Sequence, residues 1–207
     1  MNYFPMLLNI EYKTAVIVGG GHVAEQKVKA LLPTKANIIV VSPEVTAQLK
    51  VYIEQGIVAW RQKYFEPSDV NDATIIFAAT DKQEVNDAVE EATQHWQLLS
   101  RADAQGRVDF INPAVVRRGN LILTISTSGA SPKLTRQVKE EIAQRYGDEY
   151  EPYVAFLGEA RKKVLATLKG EEKKALLADL LNPQILQWTK QGEIEKCHAW
   201  LQQRLGV

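Results

Sequence analysis

Gly19, Gly21 and Ala24 stand at the spacing G-x-G-x-x-[G/A] within the run Gly19-Gly20-Gly21-His22-Val23-Ala24. In that spacing the first glycine makes a tight turn and the second lets a diphosphate approach the backbone. The third position must be small so that a helix can pack on a strand. A phosphate placed there meets the first N–H groups of the helix, at His22, Val23 and Ala24, and the positive end of its dipole, so no lysine is needed. The same residues also read as a glycine turn that serves packing alone. Two carboxylates stand at similar positions further on, Asp81 after the strand-like run Thr74 to Ala79 and Asp103 at the end of the next expected strand, Leu98 to Asp103. A carboxylate at the end of a strand can hold a ligand or move a proton. A lone aspartate there is usually a turn residue.

The elements that must place these groups are legible from apolar patterning. Thr14 to Val18 is a continuous apolar run feeding the glycine turn, and a helix from Val23 to Leu32 follows it. A second strand, Asn37 to Ser42, completes a β-α-β unit. Tyr3 to Ile10 is apolar and short and is expected to cover the sheet. An acidic residue usually closes the second strand and binds ribose hydroxyls. Here Ser42 and Pro43 occupy that place, with Glu44 close enough to reach back. No arginine stands nearby to receive a 2′-phosphate, so these residues point to NAD rather than NADP.

Leu49, Tyr52 and Ile53 recur at helical spacing within Thr46 to Gln55, and a third strand is expected around Ile57 to Arg61. Thr74 to Ala79 reads as a parallel strand buried on both faces. Ligands of open α/β sheets sit beyond the carboxyl ends of strands, which puts Ala79, Thr80 and Asp81 near a bound cofactor. Asp81 reads equally as the N-cap of the next helix, and both roles can hold at once. Val85, Ala88, Val89, Ala92 and Trp96 form one stripe, so Lys82 to Trp96 is expected to be an amphipathic helix with His95 at its surface. Leu121 to Ser126 is a further strand. Ser131-Pro132 is a strong helix start, for a helix running to about Tyr146. From Asp148 onward the chain reads as helical throughout, punctuated by Gly170, Pro183 and Gly192.

Charge and composition bound the rest. Lys and Arg total 25, as do Asp and Glu, so the overall field gives no reason to expect nucleic acid or membrane. Between Arg101 and Lys139 seven basic residues face two acidic ones. This stretch reads either as a solvated face or as the lining of a cleft for a polycarboxylate. Cys197 is the single cysteine, which excludes an internal disulfide and suits a reducing, cytoplasmic setting. No apolar run approaches a membrane span, and Met1-Asn2-Tyr3-Phe4-Pro5 lacks a signal peptide's charged start. His22, His95, His198 and Cys197 show no metal-ligand spacing, so no metal site is expected.

Taken together, Val18 to Ala24 with Lys27, Val41-Ser42-Pro43, Ala79-Thr80-Asp81 with Asn86, Asp103, Phe110 to Pro113, and Ile125 to Pro132 resemble the precorrin-2 dehydrogenase family, which includes the dehydrogenase/ferrochelatase module of siroheme synthases. The resemblance covers about residues 1 to 147. It implies an α/β fold, with a Rossmann-like NAD-binding domain over 1–113, a dimerisation segment over 114–147 and a helical domain over 148–207. The implied activity is NAD-dependent oxidation of precorrin-2 to sirohydrochlorin by a homodimer, with Asp103 as the catalytic general base. Arg117, Arg118, Lys133 and Arg136 become candidates for binding the carboxylates of the tetrapyrrole. The sequence departs from the family where Arg101 and Ala102 precede Asp103 and where Ser128 replaces a frequent glycine. Arg101 stands to bind substrate or to lower the pKa of Asp103. No methyltransferase region is expected. Alternatives are an enzyme that also inserts iron and a non-enzymatic sensor of NAD or tetrapyrrole.

Overall fold

The apolar run after Lys13 forms strand β1 (Thr14–Val18), and every residue from Ala15 to Val18 is buried. Side chains alternate across a strand, so Ala15 and Ile17 join one core and Val16 and Val18 another. A strand clothed on both faces reads as continuously apolar for that reason. The computed structural model describes residues 3–103 and 105–206. They divide into two units, the first ending at Asn112 and the second beginning at Pro113.

In the first unit β1 lies at the centre of a parallel sheet with β2 (Asn37–Val41), β3 (Val58–Arg61), β4 (Ile75–Ala78) and β5 (Leu98–Arg101), in the order β3-β2-β1-β4-β5. Helices α1 (His22–Leu31) and α2 (Ala47–Glu54) cover one face through Ala24, Val28, Leu31 and Leu49. Helix α3 (Gln83–Ala92) covers the other through Val89, with Val70 beside it. The strand order reverses beside β1, the arrangement of a Rossmann dinucleotide fold. Register places Arg61, Val41, Val18, Ala78 and Arg101 in one row, so all five strands end level and their following loops start from one edge.

Three local expectations are corrected. Tyr3 to Ile10 does not cover the sheet. Only Ile10 enters the core, while Phe4, Met6, Leu7 and Leu8 are exposed. Helix α3 stops at Ala92 because Thr93 turns to extended backbone, and Trp96 faces solvent. The N-cap of α3 is Lys82 rather than Asp81, and no side chain caps that end. Buried Gln97 then seats β5. Its amide nitrogen donates to the carbonyls of Val70 and Ala73 at 2.6 and 2.7 Å, satisfying a polar group that would otherwise be costly inside.

The second unit opens with an antiparallel hairpin of β6 (Ala114–Arg118) and β7 (Leu121–Ile125), joined by Gly119-Asn120 with Gly119 at φ +54°. Helix α4 (Pro132–Arg145) follows, and the Ser131 hydroxyl accepts from the Leu134 N–H as its cap. Helices α5 (Tyr150–Thr167), α6 (Gly170–Asp179), α7 (Pro183–Lys190) and α8 (Ile194–Leu205) enclose a core around Phe156, Val164, Ile185, Cys197 and Leu201. Burial pushes the Cys197 thiol pKa up, so the sulfur behaves as a packed apolar group.

Candidate functional site

A cleft of about 900 Å³ runs along the level strand ends, within the usual range for a ligand site. It passes from Tyr64 and Phe65 beyond β3, past Ser42 and Pro43 after β2 and Gly19 to Gly21 after β1. It then reaches Ala79 to Asp81 after β4 and Ala102 and Asp103 after β5. The centre of the cleft is the glycine turn, and its three glycines have different surroundings.

Gly19 has φ +121° and lies so close to the Ala79 carbonyl that a Cβ would collide with it. A Cβ on Gly20 would strike the Glu44 carbonyl and crowd the Ser42 hydroxyl. At Gly21 a Cβ would meet no protein atom within 4 Å, and the backbone is an ordinary extended N-cap at φ −82°. Close packing within the protein therefore explains the first two glycines and not the third. The open space at Gly21 lies at the N-terminus of α1, whose first-turn N–H groups have no intrahelical acceptors and whose cap carries no side-chain bond. The residues fit a diphosphate held by backbone N–H groups. Thr46 fixes this turn from behind. Its N–H donates to the Gly20 carbonyl at 3.0 Å and its hydroxyl donates to Glu25 of α1 at 2.8 Å.

The other candidates for cofactor binding divide by position. Gly19, Gly21, His22, Val23, Ser42, Pro43, Ala79, Thr80 and Asp81 all line the cleft. Ala24 is fully buried where α1 packs on the sheet, and Glu44 is exposed and lies outside the lining. The Ser42 hydroxyl donates to the Glu44 carbonyl, which fixes the loop, and Ser42 is buried. Lys27 also lies off the lining, with Nζ 5.5 Å from the centroid of the Phe77 ring.

At the far end of the cleft a polar network builds around Asp103. Buried Asn86 of α3 accepts from the Thr80 N–H at 3.3 Å and donates to the Thr80 carbonyl at 3.2 Å and to Asp103 Oδ2 at 3.0 Å. Arg101 grips Asp103 with two bonds, Nε to Oδ1 at 3.0 Å and Nη2 to Oδ2 at 2.8 Å. The same guanidinium pairs with Asp87 at 2.7 Å and Glu90 at 2.6 Å, both on α3, and its side chain is 2% exposed. Arg101 thus belongs to the protein's interior and is surrounded by carboxylates. Its bonds to Asp103 are the main reason that carboxyl is held well below the usual carboxylate range, with help from Asn86 and the Gln105 N–H. Asp103 is therefore ionised throughout the neutral range.

The four basic residues considered for substrate all lie in the second unit. Arg118 pairs with Asp148 at 3.2 Å and Arg136 lies 4.0 Å from Glu140. Arg117 on β6 and Lys133 on α4 are exposed. Among the described residues no cluster of three His, Cys, Asp or Glu side chains is placed to hold a metal, and no helix is long and apolar enough to cross a membrane. Sequence reading assigned no site role to Asn86, Tyr64 or Gln105, although Asn86 stands among the residues that carry the family resemblance. Asn86 was the most accessible of these, as a buried polar position on the apolar side of an amphipathic helix.

Comparison with known proteins agrees with this geometry. The family described as "Putative NAD(P)-binding" matches residues 6–114, and "Sirohaem biosynthesis protein central" matches residues 118–145. The precorrin-2 dehydrogenase of Priestia megaterium is 31% identical over 192 residues, 92% of this chain and 95% of its own. That of Bacillus subtilis (strain 168) is 31% identical, over 77% of this chain and 98% of its own. The siroheme synthase of Nitrosospira multiformis is 30% identical across 99% of this chain, which spans 45% of that protein's length. A solved structure titled "SirC, precorrin-2 dehydrogenase" matches with a TM-score of 0.83 and 29% identity, covering 99% of this chain and 100% of that one. With the dinucleotide turn, the strand order and the end-to-end likeness in agreement, the chain belongs to the precorrin-2 dehydrogenase family.

Proposed function

We propose that this protein oxidises precorrin-2 to sirohydrochlorin with NAD as the electron acceptor. The observation that carries the reading is one continuous cleft with open space at Gly21, at the N-terminus of α1, and an ionised carboxylate, Asp103, on the wall beyond β5. Bound NAD would take the hydride that leaves a substrate carbon. Loss of hydride leaves the macrocycle cationic, a charge that the Asp103 carboxylate would stabilise. A carboxylate of such low basicity accepts protons only from strong acids. An N–H proton on a cationic conjugated macrocycle is acidic, so Asp103 can take it and pass it to water, completing the loss of one hydride and one proton.

The choice of NAD is supported at the β2 edge. Arg61 pairs with Asp69 at 3.0 Å, and Lys63 pairs with Glu66 at 2.7 Å and Asp69 at 3.1 Å. The cations beside Pro43 are therefore already neutralised and offer little to a 2′-phosphate. We assign the carboxylates of precorrin-2 to Arg117, Arg118, Lys133 and Arg136, a reading supported by the basic excess of that stretch. The domain reading divides the chain at 1–113, 114–147 and 148–207. A homodimer built through 114–147 is supported by α4, which buries none of its 14 residues, and by a two-stranded ribbon in which only Val116 is buried. Such a ribbon needs further packing to be stable. A cytoplasmic location is supported by the free thiol of Cys197.

Anaerobic incubation of the protein with precorrin-2 and NAD tests the activity. Sirohydrochlorin and NADH should form in equal amounts, and Asp103→Ala should abolish both. No product with NAD or NADP overturns the oxidoreductase reading. Equal turnover by Asp103→Ala removes that residue from the mechanism.

A further inference from the structure

Tyr64 stands out because the residue is 74% exposed while the loop carrying it is tied down on both sides. Gln62 donates to the Pro43 carbonyl at 3.4 Å, and Lys63 is paired with Glu66 and Asp69. Phe65 packs into the core beside Val70 and Val89. Further back, the Ser42 N–H donates to the Arg61 carbonyl at 3.2 Å and the Trp60 indole donates to the Ser42 carbonyl at 2.9 Å. The residue between these anchors has no hydrogen bond or ring contact among the described residues. It lines the cleft together with Pro43 and Phe65. An aromatic ring carried on an anchored loop but left uncovered exposes apolar surface without any packing return inside the protein.

Its position in the cleft specifies what would cover it. The glycine turn after β1 marks the diphosphate, and Asp103 after β5 marks the reacting end. The opposite arm, past Ser42 and Pro43 to the end of β3, is where the adenosine half of a dinucleotide lies. Purine bases stack on aromatic rings independently of hydrogen bonding, and an anchored loop spares the backbone ordering that binding would otherwise cost.

We infer that Tyr64 is the adenine platform of this protein, stacking the purine ring against the Pro43 side of the cleft. This rests on the dinucleotide reading of the glycine turn. Removing the ring should weaken every ligand that carries adenine and spare those that lack it.

The test measures binding to the full chain by calorimetry, with NAD, AMP and nicotinamide mononucleotide as probes. Tyr64→Ala should weaken NAD and AMP by about tenfold, the range of one base–aromatic stack, and leave nicotinamide mononucleotide unchanged. Tyr64→Phe should bind all three as the original protein does, because stacking does not use the hydroxyl. Truncating so exposed a ring leaves the core intact, which an unchanged thermal midpoint would verify. If Tyr64→Ala binds NAD and AMP normally, or loses all three probes equally, the assignment is wrong. If the original protein binds neither NAD nor NADP, the dinucleotide reading falls and the platform with it, an outcome distinct from a failure confined to the variant.

Discussion

Asn86 donates its side-chain amide to Asp103 across 3.0 Å while the same side chain brackets both backbone polar groups of Thr80. One buried residue thereby joins the loop after β4 to the carboxylate after β5. Asn86→Leu should leave the Thr80 N–H and carbonyl without partners and strip Asp103 Oδ2 of one of its two bonds, the other coming from Arg101. The expected loss is about 1–3 kcal/mol of stability and at least a tenfold fall in kcat, read by urea unfolding and by steady-state turnover. A variant with normal kcat would show that Asn86 serves the fold alone.

Arg101 predicts a pH signature. The folded-state pKa of Asp103 lies below its unfolded value of about 3.9, so the stabilisation from this shift is fully present above about pH 5 and disappears as pH falls through the folded value. Arg101→Met removes the cation shared by Asp87, Glu90 and Asp103. At pH 7 it should cost about 3 kcal/mol, the low end for breaking a buried ion pair, because the three carboxylates keep some contact with water. The gap between the two proteins should narrow below about pH 4 as the carboxylates protonate. Unfolding measured at both pH values tests this, and a gap independent of pH would refute it.

The adjacent glycines should fail differently. Gly20→Ala drives a methyl into the Glu44 carbonyl and should destabilise the fold by about 1–3 kcal/mol. Gly21→Ala meets open space and should melt normally while binding NAD at least tenfold more weakly. Thermal melts and NAD titrations on the two variants separate these outcomes. Normal NAD affinity in Gly21→Ala would argue against a diphosphate at that turn.

Helix α4 carries the prediction about assembly. Leu134 is 48% exposed on a helix with no buried residue, as expected of a surface awaiting a second copy. Sedimentation should show a dimer, and Leu134→Glu should shift it toward monomer without unfolding the α5–α8 core. A monomeric starting protein would remove the dimer from the proposal.

Much of this was legible in the residues, for physical reasons. Strands buried on both faces leave continuous apolar runs, and β1, β2 and β4 were visible on that ground. The glycine spacing and the Ser131-Pro132 helix start are local chemistry and could be read locally. Strand β6 was not foreseen, since Ala114 to Arg118 buries only Val116 and shows no strong alternation. Trp96 extended the helical stripe on paper, but Thr93 breaks the backbone before reaching it. The role of Arg101 was undecided because its partners Asp87 and Glu90 lie on another element, and only packing of α3 against β5 brings them to it. Glu44 read as close enough to reach back to the place that Ser42 occupies, yet Ser42 lines the cleft and Glu44 lies outside it.

The row Arg61, Val41, Val18, Ala78, Arg101 also restricts where this chain can tolerate length change. Gly19 follows Val18 with no spacer, so one residue inserted between them would move the turn away from Ala79. One residue inserted within β1 would exchange the inward sets of its two faces. The opposite end of the same strand lies outside the cleft, and Tyr12 there is exposed in a turn at φ +60°. Insertions and deletions around this strand should therefore gather before Thr14 and be absent from Thr14 to Gly20, making the strand a ruler measured from its binding end.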